Sequence, residues 1–182
     1  MCEPMVWVVD LDASLVDAPR TAERVLWYLM ENGVLGRHGG GTSQLCGSAD
    51  SCTPPCDTSR LDRPFDSTSD LQIYFERNVY TAGLERDLKQ LAARCPACGT
   101  RHPKGSVQWG DALERWLERN SEDGVTCPSC AQRSSIAEWE LADGEVVLSP
   151  LAYGFRNADV DPIVASEIAV ASGHRVRELR RA

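Results

Sequence analysis

Four cysteines fall in two near-copies of one short motif: Cys95 and Cys98 in "RCPACG", and Cys127 and Cys130 in "VTCPSCA". A C-x-x-C turn can aim two thiolates at one point, and Gly99 suits the positive φ that such a turn needs. Two turns of this kind supply the four ligands of a tetrahedral zinc site, with each sulfur about 2.3 Å from the metal. Four protein ligands leave no open position for a substrate, so zinc held there is structural. A thioredoxin-type redox motif instead uses a single C-x-x-C beside a βαβ pattern, and that context is missing. The gap between the pairs is longer than in a compact ribbon, and it contains one helix pattern. The sequence therefore predicts a zinc-ribbon-like element with a helix at Asp111–Asn120 inserted between its two turns. His102 also lies in the gap; it could replace a ligand or support one from outside the tetrahedron, but it is expected at the surface.

Three further cysteines, Cys46, Cys52 and Cys56, stand near His38 in a stretch rich in Gly, Ser and Pro. Three thiolates and one imidazole can bind a metal, but these spacings are not those of a familiar zinc module. Closing a long loop round an ion also costs conformational entropy. They are read as solvent-facing thiols, and Cys2 as an unpaired thiol near the chain's start.

A second chemistry is suggested by "VVDLDASLVD" at residues 8–17, an apolar strand running into Asp10 and Asp12. This stretch resembles motif I of the haloacid-dehalogenase-like phosphohydrolases. The resemblance implies Asp10 as nucleophile, Asp12 as general acid/base, and Mg²⁺ screening the phosphate. Such an enzyme also needs a lysine and a second acidic motif. The only lysines are Lys89 and Lys104, both beside the cysteine pairs. In "GDALERW" Glu114 follows Asp111 too closely, and Asp159 and Asp161 in "ADVDP" read as a loop and a helix cap. The two acids are therefore expected to close a core strand, with the phosphohydrolase as the alternative function.

The elements that must position these groups follow from hydrophobic periodicity. Met5–Val9 reads as a strand buried on both faces. Asp17 and Pro19 open a helix whose apolar face is Ala22, Val25, Leu26, Leu29 and Met30, with Trp27 and Tyr28 widening it and Gly33 ending it. "LQIYFERNVYTAG" reads as a strand or hairpin, and "LERDLKQLAARC" as a helix through Leu84, Leu88, Leu91 and Ala92. In the helix at Asp111–Asn120, Asp111 and Glu114 form a capping box, and Leu113, Trp116 and Leu117 share a face. "SSIAEWELADGEVVLSPLAYGF" gives two strands joined by a D-G turn. Asp161 and Pro162 start a last helix ended by Gly173, and "HRVREL" alternates like an edge strand.

These elements make the fold class α+β. It is a small mixed domain with an N-terminal strand–helix unit at 1–35, a long flexible loop at 36–70, and a zinc-ribbon-bearing remainder at 71–182. Apolar residues make up 42% of the chain and charged residues 25%, the ordinary globular range. A formal net charge of −8 works against a surface built to neutralise phosphates, so nucleic acid is disfavoured as a partner. The C-terminal arginines Arg175, Arg177, Arg180 and Arg181 are read as a solvated strand or tail. No run approaches the roughly 18 apolar residues of a membrane span, and no signal peptide is legible, so a cytoplasmic location is expected. There thiols stay reduced and free to bind metal.

Taken in order, "CPACG", "WGDALERWL", "VTCPSC", "EWEL", "LAYGFRN" and "GHRVRELRR" resemble a group of uncharacterised zinc-ribbon-bearing proteins of high-GC Gram-positive bacteria. That resemblance implies a fold outline and the metal but no reaction. With no H-E-x-x-H, P-loop or G-x-S-x-G motif in the chain, the expectation is a non-enzymatic protein-interaction module with Zn²⁺ in a structural role and another protein as partner. A nucleic-acid-binding zinc ribbon is the remaining alternative.

Overall fold

The computed structural model describes residues 5–32, 34, 70–82, 91–119, 122–156, 160 and 162–181. In chain order they form β1 (Met5–Asp10), α1 (Ala18–Glu31), β2 (Asp70–Tyr74), β3 (Asn78–Thr81), β4 (Ala93–Arg94) and β5 (Arg101–His102). There follow α2 (Gly110–Leu117), β6 (Gly124–Thr126), β7 (Arg133–Ser135), β8 (Glu140–Leu141) and β9 (Val146–Ser149). The last elements are β10 (Ala152–Arg156), α3 (Pro162–Ser172) and β11 (Val176–Arg181). The fold is mixed α+β with antiparallel sheets. The chain divides into two compact units, Met1–Glu76 with Ser149–Ala182, and Arg77–Leu148.

The first unit is built on a four-stranded sheet in the order β11-β1-β10-β2. β1 is central, as its run of apolar residues demands, and Val8 and Val9 are fully buried. Val6 and Val8 of β1, Leu71 and Ile73 of β2, and Tyr153 and Phe155 of β10 share a core with residues of α1 and α3. Each such side chain removed from water contributes about 1.5–3 kcal/mol. On α1 the expected stripe of Ala22, Val25, Leu26 and Leu29 is buried. Trp27 is not part of it: the next turn of the helix carries it outward, and it is 56% exposed. Arg24 reaches from α1 to the end of α3, donating to the carbonyls of Ala171 at 3.0 Å and Ser172 at 2.7 Å. These are the groups a helix C-terminus leaves without partners. On the sheet, Gly154 stands opposite Trp7, and a Cβ there would lie 2.6 Å from the indole. The glycine is what lets the ring lie across β10.

The second unit has a five-stranded sheet, β3-β9-β8-β4-β5, and a two-stranded one, β6-β7. Leu91, Ala93, Val107, Trp109, Leu113, Trp116, Ile136 and Trp139 are among its buried residues. The expected D-G hairpin is present between β8 and β9, with Leu141 opposite Val146. Its turn uses positive φ at Ala142, Asp143 and Gly144.

Several expectations are corrected. The stretch expected as one strand or hairpin at Leu71–Thr81 splits into β2 and β3, which belong to different sheets. "VVLSPLAYGF" divides likewise, because Ser149 Oγ accepts from Leu151 N at 3.0 Å and turns the chain round Pro150. Of the helix expected through Leu91 and Ala92, residues 83–90 lie outside the described residues. The part that is described is extended, since β4 pairs with both β5 and β8. Helix α2 begins at Gly110 with Trp109 as its N-cap, so Asp111 lies in the first turn and forms no capping box. Leu117 ends that helix 42% exposed instead of sharing the buried face. The helix start at Asp161, the stop at Gly33 and residues 35–69 of the long loop lie outside the described residues.

Candidate metal centre

Each cysteine pair sits at the tip of a short hairpin, the first between β4 and β5 and the second between β6 and β7. The two tips have the same backbone geometry. In the first, Cys95 N donates to Thr100 O and Gly99 N donates to Cys95 O, both at 3.0 Å. In the second, Cys127 N donates to Gln132 O and Ala131 N donates to Cys127 O, both at 2.9 Å. The residue after the second cysteine of each pair is left-handed, Gly99 at φ 70° and Ala131 at φ 57°. Glycine adopts that conformation freely, whereas an alanine there costs roughly 1–2 kcal/mol. The second turn is thus held in shape against the preference of its own residue.

The four sulfurs of Cys95, Cys98, Cys127 and Cys130 all lie within 4.8 Å of one another. Across the pairs, Cys95 Sγ is 4.0 Å from Cys130 Sγ, and Cys98 Sγ is 3.8 Å from Cys127 Sγ. A tetrahedron with metal–sulfur bonds of about 2.3 Å has edges of about 3.8 Å, so these separations suit one shared ion. They are far longer than the roughly 2.05 Å of a disulfide, and all four thiols are free. Cys95 and Cys127 are buried, while Cys98 is exposed and Cys130 half-buried. The four cysteines expected as ligands are therefore close enough to hold a metal ion.

The thiols differ in acidity. Thr100, through its hydroxyl and its backbone, draws the Cys98 thiol down to about 6. The Gln132 backbone pulls Cys130 down, but burial and its hydrogen bonds to Cys127, Cys98 and Cys95 outweigh it and push that thiol up to about 12. One ionised thiol opposes ionisation of its neighbours, and a divalent cation removes that opposition.

His102 is not at the surface as expected. It is 5% exposed on β5, with its Nε2 3.3 Å from Cys127 Sγ. Pairing with Ala93 on β4 carries the chain back past the first turn and brings the ring to the second cysteine pair. His38, Cys46, Cys52, Cys56 and Cys2 lie outside the described residues.

The other candidate pair, Asp10 and Asp12, is engaged in structure. Asp10 is 0% exposed. Its Oδ1 accepts from the amides of Asp12 at 3.0 Å and Ala13 at 2.9 Å, and its Oδ2 is 2.9 Å from His174 Nδ1. Asp12 accepts from Arg175 N at 2.8 Å and from its guanidinium at 2.6 Å. The hydrogen bond from the Arg175 side chain holds the Asp12 carboxyl below its ordinary range. The two acids thus clasp the turn after β1 to the turn before β11. Burial, and then the charge of Asp10, push Tyr153 well above its ordinary range. A nucleophilic carboxylate has to reach a phosphorus atom, and Asp10 faces inward on a central strand with antiparallel neighbours. Arg175, read as part of a solvated tail, and His174 are the partners the sequence concealed. Their only signal was opposite charge, at a sequence separation too large for pattern to bridge. Among the described residues, no helix is long and apolar enough to cross a membrane. No protein-family model, curated protein or solved structure matches the chain.

Proposed function

We propose that this chain is a non-enzymatic zinc-binding protein that serves as a protein–protein interaction module, with a structural zinc ion held by Cys95, Cys98, Cys127 and Cys130. The observation that carries the reading is the convergence of four sulfurs from two turns of matching backbone geometry. A closed set of four thiolates suits zinc by both softness and shape. The two hairpins with cysteines at their tips support the description of a zinc ribbon, with α2 as the insertion between them. The resemblance to uncharacterised zinc-ribbon-bearing proteins of high-GC Gram-positive bacteria points the same way, and a cytoplasmic setting would keep the thiols reduced. The interaction role is supported by large apolar side chains left in solvent, notably Trp27 on α1 and Leu117 on α2. Tryptophan is a common anchor in interfaces. The buried, fully engaged Asp10 favours no phosphohydrolase, and the net charge of −8 favours no nucleic-acid partner.

Metal analysis of the purified protein with thiol titration tests the first half. About one zinc per chain is expected, released only as the four thiols are modified. Protein that purifies without metal and keeps the fold of residues 91–148 would sink it. For the second half, a photo-crosslinking side chain is placed at Trp27, at Leu117 and at exposed Ser166 on α3 as control. A discrete adduct from Trp27 or Leu117 and none from Ser166 is expected. The same pattern from all three positions would refute the interaction role.

A further inference from the structure

We propose that His102 is a positioning residue of the metal centre, donating its Nε2–H to the Cys127 thiolate; the inference rests on the four cysteines being metal ligands. A metal-bound thiolate has lone pairs and no proton, so it can only accept. The imidazole nitrogen 3.3 Å from Cys127 Sγ must then carry the hydrogen, which fixes the tautomer of a neutral ring.

Four thiolates outweigh a divalent cation, so the loaded centre is net negative. Two of its sulfurs are nearly out of solvent, Cys95 at 2% and Cys127 at 1% exposure. Negative charge in such a place is costly unless N–H or O–H donors face it. Cys127 is served by two donors, Ser129 N at 3.4 Å and His102 Nε2 at 3.3 Å. The first belongs to the turn itself. The second is supplied by a side chain from the other hairpin, and so it ties β5 to the cysteine pair it does not carry.

The hairpin geometry alone does not provide this donor. The matching position of the second hairpin is Ser134, whose hydroxyl oxygen is buried with no hydrogen-bond partner among the described residues. The His102 ring is held in place: it lies against Trp139, with centroids 5.9 Å apart and planes tilted by 49°. At the exposed edge of the centre, the Thr100 hydroxyl is 3.3 Å from Cys98 Sγ and can serve that thiolate in the same way. Cys98 and Cys127 form one edge of the sulfur tetrahedron, so the two side-chain donors flank a single edge.

The test uses full-length protein loaded with Co²⁺, or with ¹¹³Cd²⁺, in place of zinc. His102→Leu removes the donor and keeps an apolar filling, whereas His102→Gln restores an N–H. The Leu variant is expected to bind zinc about 10–100-fold more weakly in chelator competition. Its thiolate-to-cobalt charge-transfer band should move to lower energy as Cys127 loses its donor, and the Gln variant should return towards wild type in both readouts. A merely structural role would lower stability in the Leu variant without moving the band. Unchanged affinity and an unchanged band in a folded Leu variant would overturn the proposal. If that variant does not fold, wild-type protein decides: scalar coupling between ¹¹³Cd and the imidazole Hε2 is expected, and its absence in the cadmium-loaded protein overturns the proposal. Wild-type protein that takes up neither cobalt nor cadmium would instead refute the metal reading itself, and this inference with it.

Discussion

The two units of this chain solve the same problem of stability with different means. The first has strands of up to six residues, a 14-residue helix and a core drawn from two helices and three neighbouring strands. The second is built largely from strands of two or three residues, and the α-helix among its described residues has eight. Short pairings of this kind contribute little by themselves, and small units commonly need a staple. In the second unit the four sulfurs sit where a staple could act, at the tips of two hairpins paired over only two and three positions. The first unit joins its own distant turns with carboxylates instead, Asp10 to His174 and Asp12 to Arg175.

The largest difference between the units is expected when the proposed metal is removed. Binding free energies of roughly 10–16 kcal/mol are typical of structural zinc, and they appear as folding free energy. Chelation, or Cys127→Ser, is expected to abolish amide protection across residues 91–148 while β1, β10 and β11 stay protected. Hydrogen exchange followed by mass spectrometry reads the two units separately. Equal loss of protection in both, or none in either, would show that the stability of the second unit is not metal-linked in the way proposed.

Next in size is the carboxylate clasp of the first unit. Asp10→Asn leaves His174 and the buried amides of the turn without their carboxylate. Hydrogen bonds to a buried carboxylate are worth roughly 1.5–3 kcal/mol, and Asp10 accepts from two amides as well as facing His174. Urea unfolding of the wild type and the variant is expected to show that loss, with zinc content unchanged. A phosphatase assay with Mg²⁺ adds an independent check, because activity present in wild type and lost in Asp10→Asn would restore the enzymatic alternative. Asp10→Asn with wild-type stability would mean that the clasp holds nothing together.

The contrast also explains what could be read from the sequence. Helix α1 and strand β1 were legible because their apolar residues recur at the period of the element, and the four-cysteine cluster because a cysteine pair is a local motif. The role of Asp10 was not legible, since a D-x-D after a strand looks the same whether its carboxylates face a substrate or a histidine far along the chain. The sequence favoured a surface position for His102 for a related reason. Only the β4–β5 pairing brings it to Cys127, and β4 lies in a stretch whose leucines suggested a helix. The break between units at Glu76 and Arg77 falls inside a run that looks like continuous strand. Periodicity reports burial, but it does not report which sheet does the burying.

A smaller effect separates the packing of the first unit from its carboxylates. Gly154→Ala forces a methyl group to within 2.6 Å of the Trp7 ring, in a register where Trp7 also meets Tyr74 edge-on at 5.1 Å. Overpacking of this kind costs about 1–3 kcal/mol. Thermal unfolding of Gly154→Ala should show the loss, and adding Trp7→Leu should recover part of it, since the smaller side chain makes room. A double variant no better than the sum of the single ones would mean that the indole is not what excludes the methyl group, leaving the end of the Met5 side chain, 3.3 Å away, as the obstacle.

The smallest expected effect is that of Asp12, and its sign follows from the direction of the shift. The Arg175 hydrogen bond lowers the carboxyl in the folded protein below its ordinary value of 3.8. The folded state therefore favours the ionised form. The stability this adds is fully present above the ordinary value and is lost as pH falls through the lowered one. Arg175 is 77% exposed at its side chain, so solvent and salt screen the pair and the contribution stays small. Unfolding free energy measured against pH should fall less steeply in Asp12→Asn than in wild type over the acid range, and the two curves should converge at the lowest pH. Added salt should narrow the difference. Parallel curves for the two proteins would leave Asp10 as the only acid that ties the turns of the first unit together.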